Sequence, residues 1–327
     1  MNWNRHARTP AHGKPAAMRI IPKPEVDRLL PWPELIAALE EVFRLGCEAP
    51  LRHHHPVPNG PGATGSLLLM PAWWADRFTG VKIVHVMPAN ASANLPAVQS
   101  SYLLSDGRTG EALALLDGGA LTDRRTAASS VLAARFLARP DSRRLLVMGS
   151  GRVAEALAAC YASAFPLERI AIWSRRPENA QALARHLRAE GLPAESVDRP
   201  DLAAADIIAC ATLSATPLVT GAAVRPGTHV DLVGAFRPTM RESDGALLAR
   251  ARLVVDTRPG ALAEAGDVVQ AIAEGAITEA DIAADLAQLC RGEVQGREAP
   301  DEITVFKSVG WAGEDLAAAA LAYQRAG

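Results

Sequence analysis

The stretch "RRLLVMGSGRVAEALA", residues 143–158, decides how the chain is read. An apolar run from Leu145 to Met148 ends on Gly149, and Gly151 and Ala154 follow at the spacing G-x-G-x-x-G/A. That spacing predicts a strand, a tight turn and a helix whose first amides face a pyrophosphate. Gly149 suits the turn, Gly151 lets a phosphate approach the backbone, and the small Ala154 lets helix pack on strand. The three residues alone occur often by chance; the strand–helix rhythm around them gives them weight. Ser150, Arg152 and Val153, inside the turn, join Gly149 and Gly151 as candidate cofactor contacts.

Some twenty residues on, "IAIWSRRPENA", residues 170–180, reads as the second strand and its exit. An NAD site places Asp or Glu there, to bond the ribose hydroxyl and repel a 2′-phosphate. Here Ser174 stands in that position, followed by Arg175 and Arg176. A hydroxyl and two guanidinium groups suit a phosphate. NADPH is therefore expected as the cofactor, with NADH less favoured. Two arginines can also simply border a solvated loop, and the missing acid separates the two readings.

From Arg143 onward the β-like runs "RLLVMG", "RIAIWS", "DIIACAT", "HVDLVG" and "RLVVDT" alternate with helical stretches. That alternation marks a parallel, doubly wound sheet. Thr212 and Val233, in the third and fourth runs, are further candidate cofactor contacts. The chain before it has a different pattern. "PELIAALEEVFRLG" puts Leu35, Ile36, Leu39, Val42 and Phe43 on one helical face. "SLLLM", "VKIVHVM", "VQSSYLLSD" and "EALALLD" read as strands, the last two joined by a hairpin at "DGRTG". A long helix, "TDRRTAASSVLAARFLAR", leads into the second half, and the tail ends in another helix. The expected fold class is α/β: a Rossmann-type doubly wound parallel sheet domain plus an α+β domain.

Composition narrows the partners. The chain has 327 residues, 49% hydrophobic and 21% charged, with a net charge of −2. No basic excess points to nucleic acid or to an anionic membrane. No apolar run approaches the roughly 18 to 20 residues of a membrane span. The four cysteines are scattered without a CxxC pair and read as reduced thiols of a cytoplasmic protein. Residues 1–18 are polar and basic without the apolar core of a signal peptide, and read as a disordered extension. His53, His54 and His55 have no carboxylate or thiol at ligand spacing, so no metal site is expected.

A carboxylated substrate needs cations, and three stand out: Arg52 in "APLRHHHP", Lys82 in "GVKIVHV" and Arg125 in "LTDRRTAA". Taken singly, each has an ordinary explanation. A strand lysine usually points to solvent, and Arg124 and Arg125 at a helix start can both be surface residues. Glu314 and Asp315 in "WAGEDLAAA" open a helix and read as complements to its positive end. Asp231 reads as strand-end structure rather than as an acid or base.

Six segments taken together are more specific: "GVKIV", "LTDRRTAASS", "GSGRVAEA", "GTHVDLVGAFRPTMRES", "VVDTR" and "TVFKSVGWAGEDLAAA". With them the chain resembles the ornithine cyclodeaminase/mu-crystallin family, from about Leu35 to Leu321. The resemblance implies a substrate-binding and dimerisation domain from residues 19–125 and 303–327, enclosing a Rossmann domain of residues 126–302. It also implies a homodimer, carboxylate-binding positions at Arg52, Lys82 and Arg125, and Ser308 near the nicotinamide. Phe236 stands where the cyclodeaminases are expected to carry a catalytic Asp, and a phenyl ring moves no proton. The segment instead looks like the ketimine-reductase branch, which generally uses NADPH. The implied reaction is reduction of Δ1-pyrroline-2-carboxylate or Δ1-piperideine-2-carboxylate to L-proline or L-pipecolate. Lys82, the nearby group with a transferable proton, is the catalytic candidate, as proton donor or as plain charge clamp. An alanine-dehydrogenase-type enzyme, an ornithine cyclodeaminase and a mu-crystallin-like binder of NADPH and a small ligand are the alternatives.

Overall fold

Apolar residues alternate in the first half and run continuously in the second, and two different sheets result. The computed structural model describes residues 17–59, 64–93 and 95–327, so most of the expected N-terminal extension lies outside the described residues. The strands of the first sheet are β1 (Arg19–Ile21), β2 (His53–Pro58), β3 (Thr64–Trp74), β4 (Phe78–Val86), β5 (Val98–Asp106) and β6 (Ala112–Asp117). They lie in the order β1-β6-β5-β4-β3-β2, antiparallel throughout except for the parallel pair of β1 with β6. The expected hairpin between β5 and β6 is present. Its turn is held by Asp106, which accepts from the amides of Arg108 and Thr109 at 2.9 and 2.8 Å.

The helices are α1 (Lys23–Leu29), α2 (Trp32–Leu45), α3 (Gly118–Leu137), α4 (Arg152–Ala164), α5 (Pro177–Ala189), α6 (Gly245–Arg250), α7 (Arg258–Glu264), α8 (Gly266–Ala273), α9 (Leu286–Cys290) and α10 (Ala312–Arg325). Helices α3 and α10 pack on one face of the first sheet. Both are rich in Ala and buried along most of their length, so their backbones approach the sheet and each other closely. Period-two alternation then sends Met70, Lys82, Val84, Tyr102 and Leu104 inward beneath them.

The second sheet is wholly parallel: β7 (Arg144–Met148), β8 (Arg169–Trp173), β9 (Ala194–Ser196), β10 (Ile207–Cys210), β11 (His229–Leu232), β12 (Arg252–Val255), β13 (Ile282–Asp285) and β14 (Thr304–Lys307). Its order, β13-β12-β14-β11-β10-β7-β8-β9, reverses direction between β7 and β10. In doubly wound sheets the ligand crevice opens at that switch, beyond the C-terminal ends of the strands.

The expected return to the first domain at residue 303 comes too early. Strand β14 is inserted between β11 and β12 and is buried, so the chain leaves the second sheet only after Lys307. The other expected boundary, at residue 125, falls inside α3, which spans both halves and contacts α2, α4 and β14. Among the described residues, no helix is long and apolar enough to cross a membrane.

Candidate active site

The turn after β7 is built as its glycines suggest. Gly149 has φ +131°, and a Cβ on it would stand 2.5 Å from the carbonyl oxygen of Ala211. Only glycine fits there. Gly151 differs: it precedes α4 with no side-chain capping bond, and a Cβ on it would meet nothing within 4 Å. The first turn of α4 thus carries no side-chain cap and begins on a backbone with free space beside it, which suits an anionic pyrophosphate. Ala154 is fully buried behind the turn.

A cavity beside this turn is lined by Gly149, Ser150, Ser174, Arg175, Arg176 and Thr212, among others. The hydroxyls of Ser150 and Ser174 are 3.0 Å apart, which ties the turn after β7 to the exit of β8. Arg175 and Arg176 are exposed at the rim, with no acid at the strand end to oppose a phosphate. These residues fit a dinucleotide.

Besides Gly151, four expected cofactor contacts lie outside that cavity. Arg152 turns toward α3, where its Nε is 3.2 Å from Asp123. Burial lifts the Asp123 carboxyl to about 6 even with Arg152 beside it. Val153 is half-buried in the first turn of α4, and Val233 and Ser308 follow the ends of β11 and β14. Their amides bond the carbonyls of Cys210 and Leu232. Thr212 lines the cavity, but its amide and hydroxyl both donate to Glu242 at 2.7 Å. Glu242 also accepts from the Gly234 amide, so this buried carboxylate joins the loops after β10 and β11.

The three cations are brought toward one another, and none points freely to solvent. Lys82 is 2% exposed, and its Nζ lies 2.7 Å from Oδ2 of Asp315. On the same strand, Gly80 lacks the Cβ that would collide with the hydroxyl of Tyr102, the cross-strand partner of Lys82. Arg125 places Nε 3.1 Å from Oδ1 of Asp315 and Nη1 2.7 Å from Oε2 of Glu314. Ser129, one turn along α3, donates to the other oxygen of Glu314 at 3.2 Å. Arg52 pairs with Glu264 at 3.1 Å and donates to the carbonyls of Val309 and Gly310 at 3.0 Å each. The amides of those same two residues donate to Asp256, 2.7 Å away at the end of β12.

Glu314 and Asp315 are thus not mere complements to a helix end, as the sequence suggests. They do sit in the first turn of α10, but they are fully buried and carry the clamp. Their only sequence signal was the company of Lys82 and Arg125 within the family-like segments. Arg124 is no surface residue either. It donates to the Leu30 carbonyl at 2.8 Å and stacks 3.9 Å above the Trp32 ring.

Burial and pairing set the protonation of this cluster. Burial pulls the Lys82 ammonium down to about 8, although Asp315 opposes the shift. Burial also lifts the Glu314 carboxyl to about 7, against the pull of Arg125. Asp315 goes the other way: burial works against its charge, but Arg125 and Lys82 together hold it below the ordinary carboxylate range. Arg125 is raised because Asp315 and Glu314 outweigh the cost of burying it. Asp231 is lifted to about 7 by burial and accepts from Ser130 and Tyr161, inside the sheet rather than at the clamp.

A Rossmann-type turn and a buried cluster of cations paired with carboxylates belong to an α/β protein of the dinucleotide-binding class. The chain belongs to the ornithine cyclodeaminase/mu-crystallin family, whose model matches residues 23–327. It is 42% identical over 292 residues to a Δ1-pyrroline-2-carboxylate reductase of Paracoccus denitrificans, covering 88% of this chain and 90% of that one. Among solved structures it resembles the Δ1-pyrroline-2-carboxylate reductase of Thermococcus litoralis in complex with NADH and L-proline. That match has a TM-score of 0.88 and 34% identity, and covers 94% and 97% of the two chains. An archaeal alanine dehydrogenase dimer with bound NAD follows at TM-score 0.86 and 30% identity, over 94% and 96% of the chains.

Proposed function

We propose that the protein is a ketimine reductase that converts Δ1-pyrroline-2-carboxylate or Δ1-piperideine-2-carboxylate to L-proline or L-pipecolate with NADPH. The observation that carries this reading is the buried pair Lys82 and Arg125, both held by the one carboxylate of Asp315. Arg125, with Arg52 across the Val309–Gly310 segment, offers guanidinium nitrogens to a ring carboxylate. Lys82, protonated at neutral pH with its affinity for the proton lowered, donates that proton to the imine nitrogen. When bound, the nicotinamide supplies a hydride to the imine carbon. Gly149, Gly151 and the first amides of α4 hold the pyrophosphate, and Ser174, Arg175 and Arg176 hold the 2′-phosphate.

The second face of the first sheet supports a homodimer. Pro71, Val81, Leu103, Leu115 and Ile20 stand in register across five strands, away from the buried set, and Ile20 is 71% exposed. An apolar row of that length fits burial against a second copy. Sedimentation of the protein at twice the 34.5 kDa chain mass is expected, and a monomer would refute it. Four free cysteines, three of them buried, fit the reducing cytoplasm.

Oxidation of NADPH with the two cyclic imines, compared with pyruvate plus ammonia, tests the activity. The cyclic imines are expected to be the better substrates by at least about tenfold in kcat/KM, which needs only ~1.4 kcal/mol of extra transition-state binding. Equal or faster turnover of pyruvate plus ammonia would replace this reading with an alanine dehydrogenase. Release of ammonia from L-ornithine at a comparable rate would replace it with a cyclodeaminase.

A further inference from the structure

The clamp as it stands has no charge to spare. With both carboxylates ionised, Lys82 and Arg125 are balanced by Asp315 and Glu314, and Arg52 by Glu264, while Asp256 beside Glu314 is held by backbone amides and brings no spare cation. A ring carboxylate entering this buried cluster would leave one negative charge unmatched, which a low-dielectric site does not tolerate. Something must give up its charge. Asp315 is held by both cations and is the wrong candidate. Among the described residues Glu314 touches one cation, through Nη1 of Arg125, and its other oxygen accepts from the Ser129 hydroxyl. Arg125 meets Asp315 through Nε and Glu314 through Nη1, so Nη2 is the nitrogen left for a ligand.

We propose that the substrate carboxylate and Glu314 compete for Arg125, and that Glu314 takes up a proton from solvent when the substrate binds. The inference rests on the reading of the clamp as a carboxylate site. One proton enters and one anion enters, so the net charge of the cluster is unchanged. Glu314 acts through Arg125 and is a positioning residue.

The surroundings of Glu314 favour this role. Helix α3 presents Arg125 and Ser129, while Lys82 of β4 and Tyr102 of β5 lie toward Asp315. Asp256, at the end of β12, and Asp315 both repel a charge on Glu314. Helix α2 offers Phe43 to Trp311, while its Glu34 pairs with Arg325 at the far end of α10. Strands β3 and β6 turn Met70, Ala72, Ala114 and Leu116 inward, and α1 keeps Asp27 on Lys23 and Arg124. Arg125 is thus the cation in direct contact. The carboxyl is poised at about 7, so near neutrality it gains a proton readily.

Below about 7 Glu314 already carries its proton and ligand affinity is flat; above that, affinity falls as protons become scarce, by up to about tenfold per pH unit. The probe is pyrrole-2-carboxylate, a planar ring acid that accepts no hydride. It is titrated calorimetrically into the full chain saturated with NADPH, in buffers of different ionisation enthalpy. At pH 8 wild type is expected to take up about one proton per probe bound, and Glu314→Gln at least about half a proton fewer. Equal uptake in the two proteins assigns the proton to Lys82 and overturns the proposal. Should Glu314→Gln fail to fold, wild type at pH 7 decides, because Lys82 is then already charged. Uptake of about half a proton is expected there, and none would overturn the proposal. Turnover of the cyclic imine without proton uptake removes only this coupling. Absence of both turnover and probe binding removes the reading of the site itself.

Discussion

The dinucleotide turn and the cation clamp are built in opposite ways. The turn comes from one short segment, opens to solvent, and works by what its residues lack: a Cβ at Gly149 and another at Gly151. The clamp draws on β4, α3, α10 and the residue before β2, is buried, and works by crowding charges together. Glycine turns hold a cofactor with backbone amides and can be altered without touching the chemistry. A buried ion cluster couples every member to the others. Damage to the turn should therefore appear in cofactor binding, and damage to the clamp in turnover.

The largest effect is expected from Lys82→Met, which keeps an unbranched stem but removes charge and proton. Loss of a general acid should lower kcat by about a hundred- to ten-thousandfold, while NADPH affinity, measured by fluorescence titration, stays within about twofold of wild type. A variant that loses the cofactor as well would break the separation between the two regions.

Within the turn, two alanine substitutions should diverge. Gly149→Ala forces φ +131° on a residue with a Cβ and drives it into Ala211, so the fold should lose about 1–3 kcal/mol. Gly151→Ala has ordinary backbone angles and open space, so its stability should stay within about 0.5 kcal/mol while the KM for cofactor rises. Thermal unfolding and cofactor titration of the pair check this. Equal destabilisation would mean that the space beside Gly151 is not a phosphate seat.

Arg175→Asp, at the cavity rim, sharpens the cofactor reading. Wild type should prefer NADPH over NADH by at least about tenfold, ~1.4 kcal/mol, and the variant should lose most of that preference. Equal efficiency with both cofactors in wild type would contradict the role given to Ser174, Arg175 and Arg176.

The smallest effect belongs to Arg124→Met. Its stacking on Trp32 and its bond to Leu30 should be worth about 1–2 kcal/mol of stability. The melting temperature should fall while kcat/KM for the imine holds. A fall in turnover at unchanged stability would move the clamp one residue along α3.

The two regions also differ in how legible they were. The turn, the parallel strands and the hairpin at Asp106 were readable because each is a local pattern: a glycine spacing, an apolar run, a turn pentapeptide. Strands β9 and β13 are three- and four-residue edge strands and carry too little periodicity to be seen. Strand β14 lies within a family-like segment that was not read as a strand, and its place between β11 and β12 is a long-range fact. The clamp cations were singled out by resemblance, not by spacing. Their carboxylate partners were misread because Glu314 and Asp315 sit at a helix start, where acids are commonplace. Nothing local says that this helix end is buried against Lys82, 233 positions away. Arg124 and Arg125 are adjacent and chemically identical, and only the rotation of α3 sends one to Trp32 and the other to Asp315.

The central claim is that the clamp presents a cyclic imine to the hydride of the bound cofactor. Turnover of Δ1-pyrroline-2-carboxylate with NADPH deuterated at the transferable C4 position tests it directly, with the product resolved by chirality and mass. The account predicts L-proline carrying one deuterium at the carbon next to the carboxylate. Unlabelled proline, a racemic product, or consumption of the cofactor with no proline formed would contradict it.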